Sequence, residues 1–370
     1  MKGKYENPKQ EKHGSKKIIV IGMIVFFVLI ISAVASAAVY YNTMLNKMNH
    51  VDVPDIVYTT PETEPETIAV ETVQPTSSIE TLATEPEKHI PSSADYINFL
   101  LVGQAARDGE AERFADTMIL CTVNTYEKTL TMTSLLRDTL VKMPDYRKHT
   151  GGNIKLTTIY HLGSTYGDGI AGSMELMNQT LYDNFGIEVD YNFEVDFDAF
   201  IRVIDMLGGI DIELTEAEAN YLNADDFWVY QDVEPGMAHL DGMTALCYAR
   251  MRKASGDSDS DIIRTSRQRK VIATILEKLK NLSIGEVQAL VDEVLPLVAT
   301  SMDNREITQM LLTLLPILPD LRIEASGTCP ANYWGDMVDI YSNGMLHSVL
   351  RFDKNETKAA MRKITEGEVS

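Results

Sequence analysis

Thr117 to Leu136 reads TMILCTVN, then TYEK, then TLTMTSLL. Two apolar runs rich in β-branched residues flank a short polar link, the pattern of two strands joined by a hairpin. Just upstream, Asn98–Gly103 (NFLLVG) is a compact apolar run ending on glycine, a third buried strand. Downstream the period changes. Ser173 to Phe185 has helical spacing and stops before Gly186, while Glu188 to Val195 alternates as a strand does. Asp196 predicts an N-cap for a helix reaching Leu207, with Gly208-Gly209 ending it. Ile210 to Leu214 reads as a short strand, and Thr215 with Glu218 as a capping box. Helices follow at Leu240 to Ala249, Asp261 to Leu282, Ile284 to Leu297 and Asn304 to Leu315, and a last strand at Leu321 to Glu324. Hairpin and crossover signals together predict a three-layer α/β/α domain with a mixed sheet.

The 370-residue chain is acidic, with a formal net charge of −21, and 45% of its residues are hydrophobic. That balance supports a real core and argues against nucleic acid as a partner, which asks for a broad basic face. Cys121, Cys247 and Cys329 match no zinc spacing and form no disulfide framework; Cys121 and Cys247 read as small apolar residues.

Ile18 to Tyr41 carries no charged residue and follows six lysines. As a helix it is about 36 Å long, enough to cross a hydrocarbon core of about 30 Å. The lysines place residues 1–17 in the cytoplasm and everything after the 18–41 anchor outside. A cleaved signal peptide is the rival reading, because Ala35-Ser36-Ala37 has the small-x-small form of a cleavage site. Both readings export the remainder. Residues 42–94, rich in Pro, Thr and Glu between Val53 and Glu87, read as an extended spacer that holds the domain off the membrane. A domain at 95–353 follows, then a tail at 354–370.

The acidic chain gathers Arg250, Arg252, Lys253, Arg264, Arg267, Arg269 and Lys270 into one stretch. Guanidinium forks suit phosphate oxygens. Asp261, Arg264 and Gln268 fall on one helix face, with Arg267 beside them, and Arg269 and Lys270 are expected in solvent. Arg137-Asp138-Thr139 directly follows a strand, where α/β folds build sites, and Asp116 opens another strand as a candidate ligand for a hard metal ion. Asp257-x-Asp259-x-Asp261 begins like a calcium loop but lacks its glycine and its final glutamate, having Ile262 and Gln268 instead.

Taken together the chain resembles the LytR-CpsA-Psr family of bacterial cell-wall enzymes. The matching stretches are NFLLVG at 98–103, DTMILCTVN at 116–124, SLLRDTLV at 134–141, VDFDAFIRVIDMLGGIDI at 195–212, HLDGMTALCYARMR at 239–252 and RTSRQRKV at 264–271. The resemblance implies a membrane-anchored phosphotransferase that moves an anionic glycopolymer, of teichoic acid or capsule type, from a polyprenyl-pyrophosphate carrier to peptidoglycan. It implies that Arg137, Asp138, Arg250 and Arg252 are catalytic. Arg137, Lys155, Arg250, Arg252, Arg264, Arg267 and Gln268 would contact the pyrophosphate, and Asp116 would help hold Mg²⁺. An apolar tunnel for the lipid is expected between sheet and helices. The chain departs from the family pattern twice. Ala105 stands where a metal-binding Asp is expected, with Asp108 or Glu110 nearby, and Thr157 stands for an Asn. The first departure leaves an alternative, a catalytically degenerate module that binds the lipid pyrophosphate without turnover.

Overall fold

The computed structural model describes residues 43–54, 56, 93–104, 114–224, 232–252, 261–324, 327–331, 338–342 and 345–367. The expected membrane span at 18–41, the calcium-like loop before Asp261, and Ala105, Asp108 and Glu110 lie outside them. Among the described residues no helix is long and apolar enough to cross a membrane.

The chain forms β1 (Asn49–His50), β2 (Tyr96–Gln104), β3 (Ala115–Asn124), β4 (Thr129–Leu135), β5 (Leu140–Met143) and β6 (Gly152–Lys155) before its first long helices. These are α1 (Leu156–Tyr166) and α2 (Ile170–Phe185). Then come β7 (Tyr191–Val195), α3 (Phe197–Met206), β8 (Ile210–Leu214), α4 (Glu216–Leu222), β9 (Gly236–Leu240), α5 (Gly242–Arg250) and α6 (Asp261–Leu279). The chain closes with α7 (Ile284–Val294), β10 (Val298–Thr300), α8 (Asn304–Leu314), β11 (Arg322–Ile323), β12 (Gly327–Cys329), the hairpin β13 (Val338–Ser342) and β14 (Met345–Val349), and α9 (Lys354–Thr365).

The main sheet runs β1-β10-β7-β2-β3-β4-β11, with β12 also on β4. It is mixed: β2 pairs antiparallel with β3 and parallel with β7. The hairpin anticipated from residues 117–136 is present, Ile119 opposite Ser134 and Asn124 opposite Thr129. Strand alternation splits the apolar residues between two faces. On one face Leu100, Val102, Met118 and Leu120 pack with Leu156 and Ile159 of α1 and Met177 and Phe185 of α2. On the other, Ile119, Val123 and Met132 pack with Ile272 and Leu276 of α6. A third cluster joins Ile210, Ile212 and Leu240 of the β8–β9 hairpin to Tyr248 of α5 and Val271 of α6.

The capping signals act as read. Asp196 accepts from the Ala199 amide, and Thr215 and Glu218 form a reciprocal capping box. Gly208 and Gly209 hold positive φ, +71° and +85°, a region open to glycine at no steric cost. Helix α1 had no such signal: its N-cap, Lys155, makes no side-chain cap bond. Packing holds it instead. A Cβ on its Gly163 would stand 2.3 Å from the Gly172 carbonyl oxygen, so the two helices meet at their glycines.

Two expected boundaries differ. Within the supposed spacer, β1 pairs parallel with β10, and Val51 and Val53 pack on the main core. The spacer is therefore sheet-bound at its start. The supposed tail beyond 353 forms α9, whose Met361 is 3% exposed within the core. Both segments are too short or too polar to announce burial by periodicity.

Candidate functional site

The carboxyl ends of β2 and β4 and the amino end of β3 meet along one margin of the sheet, because Gly103 lies opposite Thr117 and β3 runs antiparallel to β4. The chain leaves β4 through Leu136-Arg137-Asp138, so Arg137 stands beside Asp116 at the start of β3. Its Nη1 lies 3.3 Å from Asp116 Oδ1, and its Nε lies 3.5 Å from Asp138 and 3.4 Å from Asp261. Lys155, at the end of β6, holds the other oxygen of Asp138 at 2.6 Å. The first turn of α6 closes the group: Arg264 Nη2 is 2.9 Å from Asp261 Oδ1.

Arg264 is 4% exposed. Burial draws its pKa below the usual guanidinium range; Asp261 and Asp116 oppose that shift, while Arg137 and Arg252 reinforce it. Positive charges are therefore held near one another at some cost, which an incoming anion would relieve. The hydrogen-bonding capacity is also unspent. Arg137 Nε, Arg264 Nε and Gln268 Oε1 are buried with no hydrogen-bond partner. Buried polar atoms are normally satisfied, and clusters of exceptions ask for an explanation.

Beside this cluster lies a cavity of about 290 Å³. Leu101 and Val195 of the sheet, Phe200 and Val203 of α3, and Ile272 and Leu276 of α6 make it apolar, and Arg250 and Gln268 supply polar groups to its wall. Arg250 is anchored by its guanidinium lying 4.6 Å over the Phe197 ring, a cation–π contact. This lining is the piece that sequence could not assign, because leucine and isoleucine stripes look the same in a plain core.

Of the residues expected at the site, Arg137, Asp138, Asp116, Lys155 and Arg264 are joined by ion pairs, and Arg250 and Gln268 border the adjoining cavity. Arg252 lies near enough to act on Arg264. Arg267 is elsewhere. Its Nε pairs with Glu218 at 2.7 Å and its Nη1 donates to the Met251 carbonyl at 3.2 Å, with 4% exposure. It ties α6 to α4 and to the end of α5. Arg269 is not in solvent as expected: it is 9% exposed and donates to Ser134 Oγ at 2.6 Å. Lys270 is exposed and bonds the Glu213 carbonyl. Asp261 is the addition, the carboxylate that Arg137 and Arg264 share; its signal was the three-residue spacing to Arg264.

Among the described residues no group of three His, Cys, Asp or Glu stands ready to hold a metal ion. Mg²⁺ needs only one or two protein carboxylates when phosphate oxygens complete its shell. Asp116, with 38% of its side chain exposed and one oxygen engaged by Arg137, fits that limited role.

An apolar cavity thus lies beside guanidiniums whose buried Nε donors have no hydrogen-bond partner, so apolar surface and anion-binding groups stand side by side. Residues 66–346 match the LytR_cpsA_psr family, and the chain belongs to that family. It is 33% identical over 187 residues to "Biofilm regulatory protein A" of Streptococcus mutans, covering 48% of this chain and 41% of that one. It is 33% identical over 189 residues to the polyisoprenyl-teichoic acid–peptidoglycan teichoic acid transferase TagU of Oceanobacillus iheyensis, covering 51% and 53%. The chain thus spans about half the length of the curated relatives it matches. The fold is similar to that of the LytR-CPS2A-psr family protein YwtF (TagT) with bound octaprenyl pyrophosphate lipid, with a TM-score of 0.51, 22% identity, and coverage of 75% of this chain and 94% of that one.

Proposed function

We propose that this chain is a membrane-anchored phosphotransferase that transfers an anionic glycopolymer from a polyprenyl-pyrophosphate carrier to peptidoglycan. The observation that carries the reading is the pairing of an apolar cavity with buried guanidiniums that have unspent donors. The names of the relatives agree with it. The N-terminal span would anchor the chain and leave the site on the outer face, where carrier and acceptor meet.

The chemistry follows from charge. A sugar hydroxyl of the acceptor attacks the polymer-bearing phosphorus, a new P–O bond forms, and the bond to polyprenyl phosphate breaks. Negative charge grows on the phosphoryl oxygens and on the leaving phosphate. Arg137 and Arg264, held in place by ion pairs, are preorganised donors for it, with Arg250 and Arg252 more exposed beside them, and such donors are worth most in a water-poor site. Asp138 and Asp261 orient Arg137, while Lys155 fixes Asp138. Asp116 would hold Mg²⁺, which supplies further positive charge to the phosphate oxygens. The prenyl chain occupies the cavity, so carrier binding energy comes from apolar burial and stays separate from the transfer step.

The full chain, given polyprenyl-pyrophosphate saccharide and peptidoglycan fragments, should transfer the saccharide. Arg250→Ala should lower the rate by about 10² to 10³. Full activity in that variant would sink the proposal. Tight lipid binding by the native chain with no transfer would favour the degenerate module that Ala105 motivates.

A further inference from the structure

Asp116 and Arg137 stand 3.3 Å apart, yet strand pairing does not hold them there. The β3–β4 ladder runs from Asn124 opposite Thr129 to Ile119 opposite Ser134, and it stops three residues short of each. Toward β2 the strand is irregular. Gly103 pairs with Thr117 but Gln104 pairs with Ala115, so Asp116 is the extra residue of a β-bulge. A bulge leaves one residue outside the ladder and re-aims its side chain, and bulges recur beside active sites.

Helix α1 holds both segments instead. The first amides of a helix have no partner within it, and the α1 N-cap, Lys155, makes no side-chain cap bond. The Leu156 amide donates to the Thr139 carbonyl at 2.9 Å, and the Thr157 amide donates to the Arg137 carbonyl at 3.0 Å. The Thr157 hydroxyl donates to the Ala115 carbonyl at 2.9 Å. One residue is therefore bonded both to Arg137 and to the chain neighbour of Asp116. Ala115 is fully buried, so water does not replace that hydroxyl when it is removed, and the carbonyl must move or stay unbonded.

We infer that Thr157 is a positioning residue: it pins the Asp116 bulge to the Arg137 loop and so sets the spacing of that carboxylate and that guanidinium. It acts through those two side chains. The use of the spacing, Mg²⁺ on Asp116 and phosphate on Arg137, rests on the proposed function; the spacing itself does not. Thr157→Val keeps the amide bond to Arg137 and deletes only the hydroxyl, while Thr157→Ser keeps both.

The test uses the full chain with isotope-labelled arginine. Magnetic resonance of the ligand-free protein follows the Arg137 Nε–H signal, identified by its loss in Arg137→Lys. Calorimetry follows inorganic pyrophosphate with and without Mg²⁺. Thr157→Val should move the Arg137 signal in the direction that Asp116→Asn moves it, and Thr157→Ser should leave it near its native place. The enhancement of pyrophosphate affinity by Mg²⁺ should fall about three- to tenfold in Thr157→Val, the range of one hydrogen bond. With Asp116→Asn already present, the same change should have almost no further effect, because coupled residues are not additive. General loosening of the fold would lower affinity equally in both backgrounds. An Arg137 signal unmoved by Thr157→Val overturns the inference, as do equal losses in the two backgrounds or a loss that Thr157→Ser shares. A native chain that binds no pyrophosphate overturns the proposed function instead, and the Arg137 signal still decides the role of Thr157.

Discussion

Replacing Glu218 with Ala would strand the buried guanidinium of Arg267. The pair is close, at 2.7 Å, with the Arg267 side chain 4% and the Glu218 side chain 11% exposed. Breaking such a pair by removing one partner costs about 3–5 kcal/mol, because a charge stays buried without compensation. Glu218 also accepts from the Thr215 amide in the capping box, and losing that adds about 1 kcal/mol. The sum, about 4–6 kcal/mol, is a large share of the roughly 5–15 kcal/mol that holds a domain together. Urea unfolding followed by circular dichroism measures it. Removing both charges, as Glu218→Leu with Arg267→Met, should restore most of the loss, since apolar replacement of a whole buried pair is often neutral or better. The pH dependence has a definite sign. Burial pushes the Glu218 carboxyl up, but the Thr215 amide and Arg267 together hold it below the usual range. Its contribution is present above about pH 4.3, the unfolded value, and fades as pH falls through the lower folded one. The native-minus-variant stability gap should therefore shrink in acid. A cost below about 1 kcal/mol at neutral pH would refute the reasoning. So would a pyrophosphate affinity in the folded Arg267→Met/Glu218→Leu protein that falls tenfold, because it would return Arg267 to the site.

Three further outcomes follow from the same geometry. Val203→Trp should fill part of the cavity wall and weaken binding of polyprenyl pyrophosphate several-fold while leaving inorganic pyrophosphate binding unchanged; equal loss of both would mean the cavity does not hold the tail. Gly163→Ala places a methyl 2.3 Å from the Gly172 carbonyl oxygen, and overpacking of that kind costs about 1–3 kcal/mol, measurable as a lower urea midpoint. Asp116→Asn should reduce the enhancement of pyrophosphate affinity by Mg²⁺ without changing metal-free affinity by more than about threefold; an unaltered Mg²⁺ enhancement would remove Asp116 from that role.

Much of the site was legible along the chain because it is built at element ends. Arg137 follows the last residues of β4, and Asp116 stands at the start of β3, where strand patterning already fixes position. Arg264 and Gln268 share a helix face by spacing alone. Arg267 was not legible, since its partner Glu218 lies 49 residues earlier. The first turns of α6 are mostly buried, their exposed stripe reduced to Ile263, Ser266 and Lys270, so spacing alone did not sort its arginines, and Arg269 misled for the same reason.

The amino-acid pattern by itself determined the sheet's central hairpin, the capped helices and the gathering of guanidiniums, because each depends on neighbours within a few positions. Tertiary structure alone decided the rest: which arginines are spent on carboxylates inside the fold, that Asn49–His50 join the sheet with Val51 and Val53 on the core, that α1 forms without a cap, and that apolar side chains leave a cavity beside the charges. Those outcomes depend on partners tens to hundreds of residues apart, and burial energy, not local propensity, selects among them.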